Sequence, residues 1–118
     1  MITFISYSCH SVVDLVAHGV RNTILAPTVP YEGSVCFGDR LQYTRSVGTS
    51  NSAAYVSGIA ALLWSAKPDA TAVEIRDALL STALDLGAPG RDEVYGHGFV
   101  SVKDALDYLL FGPVDIDM

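Results

Sequence analysis

The sequence predicts an α/β fold in which short strands come first and three helices follow. Continuous apolar runs at residues 2–7 and 12–17 are typical of strands covered on both faces, as in parallel sheets. A segment of small and apolar residues then spans about 50–66, and a capping pattern starts a second helix at Thr71. At 118 residues the chain is expected to form a single domain, 1–118.

Further extended segments are predicted between the apolar runs and the first helix. Residues 22–26 form a short extended piece that Pro27 ends, and residues 30–40 carry the Pro, Gly and Asp residues of a loop. Residues 41–47 are predicted to form a strand, or one arm of a hairpin, that leads to Gly48.

The first helix is predicted over residues 50–66. It is apolar nearly all round, which is typical of a buried helix. Gly58 weakens a helix interior by about 1 kcal/mol relative to Ala, so we interpret it as a point of close approach to a sheet. Pro68 cannot continue the helix, which therefore ends near Lys67.

Two more helices are predicted towards the end of the sequence. Thr71 and Glu74 form a capping box for the second, which is expected to end near Leu84. Ser101 is expected to cap the third, which continues to about Leu110, and residues 111–118 are expected to fray. Helical spacing predicts the inner faces as Ile75, Ala78, Leu79 and Thr82 in one helix and Ala105, Leu106 and Leu109 in the other.

Ser50, at the start of the first helix, is the candidate functional residue. One interpretation is structural, with Thr49 or Ser50 capping the free N–H groups of the helix. The other is a nucleophile, because a hydroxyl at a helix N-terminus lies in the positive end of the macrodipole and beside backbone donors for an oxyanion.

The residues around Ser50 resemble the nucleophile segment of the subtilisin-like serine proteases. That pattern is roughly Gly-Thr-Ser-x-Ala-x-Pro-His-Val-x-Gly, and the matching residues are Gly48, Thr49, Ser50, Val56 and Gly58. The departures are Asn51, where Met is common, and Ser52, Ala54 and Tyr55 in place of Ala, Pro and His.

The resemblance to this family extends over roughly residues 3–110. Upstream of Ser50, the family has a strand that ends in Ser, matched by Ser6 or Ser8, and then a strand that contains Asp, matched by Asp14. Its Ala-Pro-Gly turn is matched by Ala17 and Gly19, with His18 in place of Pro, and its Ile-x-Ser piece is matched by Ile24. Downstream, Ile75, Arg76 and Leu79 match a family helix, and residues 95–100 match its Tyr-Gly-x-Gly-x-Val segment. The resemblance thus implies part of a subtilisin-like three-layer fold, namely the C-terminal portion of its catalytic domain.

The resemblance also implies a function, with Ser50 as the nucleophile of a Ser-His-Asp triad and its backbone N–H as half of the oxyanion hole. In the triad order of subtilisin, Asp and His precede Ser, so both are expected upstream of these residues. Neither His18, in a structural turn, nor His97, between two glycines, is expected to be the base. We therefore predict that the 118-residue chain alone does not hydrolyse peptide bonds.

Composition and charge limit the partners and cofactors. A net charge of −6, with seven scattered Lys and Arg residues, argues against nucleic acid, and no apolar stretch is long enough to cross a membrane. The histidines and the two cysteines, Cys9 and Cys36, do not have zinc-site spacing, so no metal or other cofactor is expected; the cysteines are either one disulfide or two thiols. Residues 1–5 do not have the pattern of a signal peptide.

The family resemblance adds expectations for the complete parent protein. It implies a polypeptide substrate, an extracellular or secretory-pathway location, and a calcium ion in some relatives that no residue here can be matched to. The resemblance implies that, in a complete domain, further strands pack against the first helix. Without them the chain is expected to expose apolar surface and to self-associate. Two alternatives remain open: a non-catalytic remnant or interaction module that keeps the fold, and an unrelated small α/β domain in which Ser50 is only a cap.

Overall fold

The computed structural model describes residues 13–19, 22–25 and 43–113. Its elements are two strands, β1 (Asn22–Leu25) and β2 (Tyr43–Ser46), followed by three helices, α1 (Thr49–Ala66), α2 (Ala72–Ser81) and α3 (Val102–Phe111). The described elements follow one another in the predicted order, but the strand predicted at 12–17 is wrong for residues 13–17, where Val16 forms only an isolated bridge. The strand predicted at 2–7 and the loop predicted at 30–40 lie outside the described residues.

Strands β1 and β2 pair antiparallel, in a register that places Asn22 opposite Ser46 and Leu25 opposite Tyr43. The predicted extended segments are therefore confirmed at 22–25 and 43–46. The second segment is one arm of an antiparallel pair, as the hairpin alternative for residues 41–47 predicted. Parallel pairing, the expectation for the strands, occurs among the described residues at a single bridge between Val16 and Phe99.

Phe99 lies at the centre of a three-segment pairing that joins distant parts of the chain. On one side, the Val16 N–H donates to the Gly98 carbonyl at 3.0 Å, and the Val100 N–H donates to the Val16 carbonyl at 3.0 Å. On the other side, Leu84 and Phe99 exchange two backbone hydrogen bonds of 2.8 Å. The segment around Val16 is thereby fixed in place although it forms no regular strand of its own.

Gly98 allows this close pairing. Its φ is +124°, a conformation that side chains rarely adopt, and a Cβ placed on it would overlap the carbonyl group of Leu84. Only glycine lets the two backbones approach at this point, which explains the glycine here in the Tyr-Gly-x-Gly segment.

Helix α1 packs on the rest of the chain along one side. Of its 18 residues, only Ile59 and Leu63 are buried, so the predicted burial of this helix on nearly all sides is not found among the described residues. A Cβ on Gly58 would meet no atom within 4 Å. The expected close approach at Gly58 is therefore not found among the described residues, because no element packs on that face. The helix ends as predicted before Pro68, with the Lys67 N–H bonded to the Leu63 carbonyl at 3.0 Å.

Helix α2 begins with the predicted capping box. The Glu74 N–H donates to the Thr71 hydroxyl at 3.2 Å, and the Thr71 N–H donates to the Glu74 carboxylate at 2.6 Å. The backbone N–H of Thr71 lowers the pKa of Glu74 because it stabilises the charged form, and the Thr71 hydroxyl and Lys67 act in the same direction. The predicted end near Leu84 is wrong: the helix ends at Ser81, since Leu84 pairs with Phe99.

Helix α3 starts after Ser101, as predicted, but the Ser101 side chain makes no capping hydrogen bond. Its hydroxyl donates instead to the Asp104 carboxylate at 2.6 Å. The helix includes Phe111, which was expected to belong to the frayed tail; residues 114–118 lie outside the described part of the chain.

The core lies between the three helices and the segments that pair with Phe99. Leu63 of α1 is 0% exposed and is the largest fully buried side chain among the described residues. The predicted inner faces of α2 and α3 are confirmed, with Leu106 and Thr82 partly buried beside them. The buried apolar residues are Val16, Ala17, Ile59, Leu63, Ala70, Ile75, Ala78, Leu79, Val100, Ala105 and Leu109.

Candidate active site

Ser50 is the second residue of α1, and its side chain is exposed. The helix is preceded by Gly48, whose φ of 151° and ψ of 162° place it in a region of backbone conformation that is essentially restricted to glycine. The capping prediction for Thr49 or Ser50 is wrong, since Gly48 is the N-cap and no side chain caps the helix. The Ser50 hydroxyl is therefore not used to begin the helix.

In the part of the chain that the structure describes, two backbone donors in the first turn of α1 have no acceptor. The Asn51 and Ser52 N–H groups both bond to the Gly48 carbonyl, at 3.1 and 3.4 Å. Within the described residues, the N–H groups of Thr49 and Ser50 have no such partner. The first turn contains no acidic residue, so the positive end of the helix dipole is not neutralised there. This end of α1 can stabilise a negative charge that develops on a bound molecule.

The turn before Ser50 is attached to the segment that pairs with Phe99. The Gly48 N–H donates to the Gly19 carbonyl at 2.8 Å, and the Ser52 hydroxyl donates to the Ala17 carbonyl at 3.3 Å. Ala17 and Gly19 are both buried. The position of Ser50 is thus set by backbone atoms of a segment about thirty residues earlier in the chain, a contact that the sequence analysis did not find.

His18 lies between two aromatic rings rather than beside Ser50. Its imidazole is perpendicular to the ring of Tyr55, with centroids 5.5 Å apart, and perpendicular to the ring of Phe99, at 5.0 Å. The prediction of a partly exposed turn histidine agrees with its intermediate burial. His97 is also half-buried, and its backbone N–H donates to the Asp14 carbonyl at 2.8 Å.

The described residues have neither a metal-binding cluster nor a membrane-spanning helix. They contain no cluster of three or more His, Cys, Asp or Glu side chains that could hold a metal ion. Cys9 and Cys36 lie outside these residues, so the choice between a disulfide and two thiols stays open. In the same part of the chain, no helix has both the length and the apolar character needed to cross a membrane.

Residues 1–98 match the sequence model of the subtilase family, a class of peptidases, and the chain belongs to this family. It is 38% identical over 65 residues to the extracellular serine protease of Serratia marcescens, covering 55% of this chain. It is 52% identical over 48 residues to the subtilisin-like protease PopC of Myxococcus xanthus, covering 41% of this chain. The family resemblance inferred from the motifs is therefore confirmed.

The fold is similar to solved structures of subtilisin-like proteases. Fervidolysin from Fervidobacterium pennivorans, a keratinolytic enzyme related to subtilisin, superposes with a TM-score of 0.59 and 31% sequence identity over 83% of this chain. The fold is accordingly part of the α/β subtilisin-like fold.

The chain is much shorter than the proteins it matches. The aligned part spans 6% of the Serratia marcescens protease, 10% of PopC and 15% of the fervidolysin chain. What these proteins do as wholes therefore depends on many residues that have no counterpart in the alignment.

Proposed function

We propose that this chain is the nucleophile-bearing part of a subtilisin-like serine endopeptidase, with Ser50 as the nucleophile. The observation that carries the proposal is the exposed Ser50 hydroxyl at the start of α1, beside two backbone N–H groups with no acceptor in the described part of the chain. Membership of the subtilase family supports the reaction class.

The reaction is an acyl transfer to Ser50. The Ser50 Oγ attacks the carbonyl carbon of the scissile peptide, and a histidine base accepts its proton and passes it to the leaving amine. Water then attacks the acyl-serine ester, the same base accepts a proton from the water, and the Ser50 oxygen regains its proton as the ester bond breaks. The Ser50 N–H donates to the oxyanion in both tetrahedral intermediates.

The catalytic base is proposed to come from another part of the parent protein. No described side chain accepts a hydrogen bond from the Ser50 hydroxyl, and serine is a weak nucleophile without an adjacent base. His18 contacts Tyr55 and Phe99, and neither ring belongs to the first turn of α1. We expect the 118-residue chain alone to show no proteolysis, and its hydrolysis of a peptide in a Ser50-dependent manner would refute this part of the proposal.

The proposed substrate is a polypeptide, and the reaction as written needs no cofactor. Calcium, which the family resemblance allowed for, is given no role here. The parent is proposed to act outside the cell or in the secretory pathway; its Serratia marcescens relative is an extracellular serine protease.

The proposal is tested in the longest reading frame that contains these residues. The expressed protein is assayed for hydrolysis of fluorogenic casein and for covalent labelling by a fluorophosphonate. Ser50→Ala is expected to abolish labelling and to lower kcat by about six orders of magnitude, as in other triad enzymes. Ser57→Ala is the matched control, because this exposed serine is on the same helix and only bonds to the Ala53 carbonyl.

A second candidate function is that of a non-catalytic remnant that keeps the fold. The observation that favours it is the set of departures after the nucleophile, at Ser52, Ala54 and Tyr55. The same assay separates the two, since a well-folded parent that contains the upstream Asp and His but does not label at Ser50 would establish the remnant.

We also propose that the chain alone self-associates through exposed apolar surface on α1. Large apolar side chains on two sides of this helix are exposed in the described part of the chain, with Tyr55 at 42% and Leu62 at 51% on one side and Trp64 at 38% on another. Such surface marks a partner or an aggregation site. Sedimentation equilibrium of the purified chain is expected to show oligomers, and a monodisperse monomer with a cooperative melt would contradict the proposal.

A further inference from the structure

The start of α1 is held against residues 17–19 by three contacts of different kinds. The first two are the hydrogen bonds from the Gly48 N–H to the Gly19 carbonyl and from the Ser52 hydroxyl to the Ala17 carbonyl. The third joins the side chains of His18 and Tyr55, whose rings are 5.5 Å apart with an interplanar angle of 78°. Ser50 lies between the attachment points on α1, at Gly48, Ser52 and Tyr55.

The imidazole of His18 also contacts the paired segments on its other side. Its ring lies 5.0 Å from the ring of Phe99, with an interplanar angle of 83°. Edge-to-face aromatic pairs at these distances are stabilising beyond the apolar area that they bury. His18 therefore connects α1 with Phe99, the residue at which the backbone pairing of Val16 and Leu84 meets.

The two residues of this contact are both departures from the family pattern. Position 18 has His in place of Pro, and position 55 has Tyr in place of His. In the structure these two departures touch each other. Ser52, a third departure, makes the hydrogen bond to Ala17. His18, Ser52 and Tyr55 all depart from the family pattern, and all three make contacts in one small region next to Ser50.

We propose that His18 and Tyr55 form a positioning pair that fixes the first turn of α1, and with it the direction of the Ser50 hydroxyl. Neither residue touches the substrate or transfers a proton; they act through Gly48 and the helix backbone. The inference rests on the proposed function in one respect, namely that Ser50 is the group whose position matters.

The anchoring is tested in the full 118-residue chain by amide hydrogen exchange, which needs no catalysis. His18→Ala is expected to speed exchange at the Gly48 amide by about threefold to tenfold, the range expected for loss of an aromatic pair. Amides in α2 and α3 are expected to keep their wild-type rates. His18→Phe, which keeps a ring at this place, is expected to restore slow exchange, and the ring protons of the wild-type imidazole are expected to show upfield shifts from the two neighbouring rings.

His97→Ala is the matched control, because this histidine is in the neighbouring paired segment and has a backbone contact with Asp14. Equal acceleration at Gly48 in His18→Ala and His97→Ala would overturn the proposal. If His18→Ala does not fold, Tyr55→Ala decides the question, since Tyr55 is 42% exposed and its removal opens no core cavity. An unchanged rate at Gly48 in Tyr55→Ala would equally overturn it.

The link to Ser50 is tested in the longest reading frame, with the assay proposed above. His18→Ala is expected to lower kcat about tenfold with KM within twofold of wild type, and His18→Phe is expected to recover most of the loss. A wild-type protein without Ser50 labelling would refute the proposed function but not the anchoring, which the exchange rates decide. An active enzyme whose kcat is the same in His18→Ala would refute the positioning role alone.

Discussion

Replacing Gly58 by alanine is expected to stabilise the isolated chain. Glycine in a helix interior costs about 0.8–1.0 kcal/mol relative to alanine, because more backbone freedom is lost on folding. Where a helix packs closely, an added Cβ usually clashes with its neighbours and offsets this gain. At Gly58 the Cβ would meet no atom within 4 Å. The full propensity difference of about 1 kcal/mol is therefore expected as a gain in unfolding free energy.

The assay is urea denaturation followed by circular dichroism, at protein concentrations low enough to keep the chain monomeric. A gain of about 1 kcal/mol corresponds to a rise of roughly 0.3–1 M in the urea midpoint, since m is about 1–3 kcal/mol/M for small proteins. Gly90→Ala is the matched control: its Cβ also meets nothing within 4 Å, but its φ of +81° makes alanine unfavourable by about 1–2 kcal/mol. If Gly58→Ala destabilised the monomer, the reasoning would be refuted, since a covered helix face would then be required.

Three other changes give equally specific expectations. Leu63→Ala removes the largest side chain that is fully buried among the described residues and is expected to lower the unfolding free energy by about 2–5 kcal/mol. Leu62→Ala, at a position 51% exposed, is expected to stay within about 0.5 kcal/mol of wild type in the same urea titration. Gly98→Ala is expected to abolish the slow amide exchange of the pairing around Phe99, because the new Cβ overlaps a backbone carbonyl; wild-type exchange rates there would contradict the structure. The pKa of Glu74 is lowered from its ordinary value of 4.5, so its stabilisation of α2 is complete above pH 4.5 and is lost as the pH falls through the lower, folded-state pKa. Glu74→Gln can still accept a hydrogen bond from the Thr71 N–H but does not titrate, so it is expected to flatten the dependence of the unfolding free energy on pH below 4.5. The same pH dependence in Glu74→Gln and wild type would contradict this assignment.

Local signals in the sequence were sufficient for the helices. The capping box at Thr71, the stop at Pro68 and the helical spacing of Ile75, Ala78 and Leu79 involve residues within a few positions of one another, so they can be recognised without the fold. The end of α2 was misplaced because Leu84 is withdrawn from the helix by pairing with Phe99, a contact between distant residues.

The sequence motif was enough to single out Ser50 as the candidate residue, but not to predict the contacts that hold its turn. Ser50 stands out by its motif, and the match to the subtilase family supports that motif. The contacts that hold its turn, to Ala17, His18 and Gly19, join backbone and ring atoms about thirty residues apart, and no local pattern encodes such pairs. The shared departure of positions 18 and 55 from the family pattern was a signal that could have indicated a contact between them.

The same long-range pairing sets an order of events during synthesis of the chain. The backbone hydrogen bonds within α1 and α2 join residues a few positions apart, so these helices can begin to form while the following residues are still inside the ribosome. The segment that holds the Ser50 turn must instead wait for residues 98–100, which supply its hydrogen bonds at Val16. Closing so large a loop is slow and entropically costly until the whole contact forms. A nascent chain that stops before Phe99 thus carries Ser50 without the paired segments that hold its turn, and this turn is fixed only after residues 98–100 have emerged.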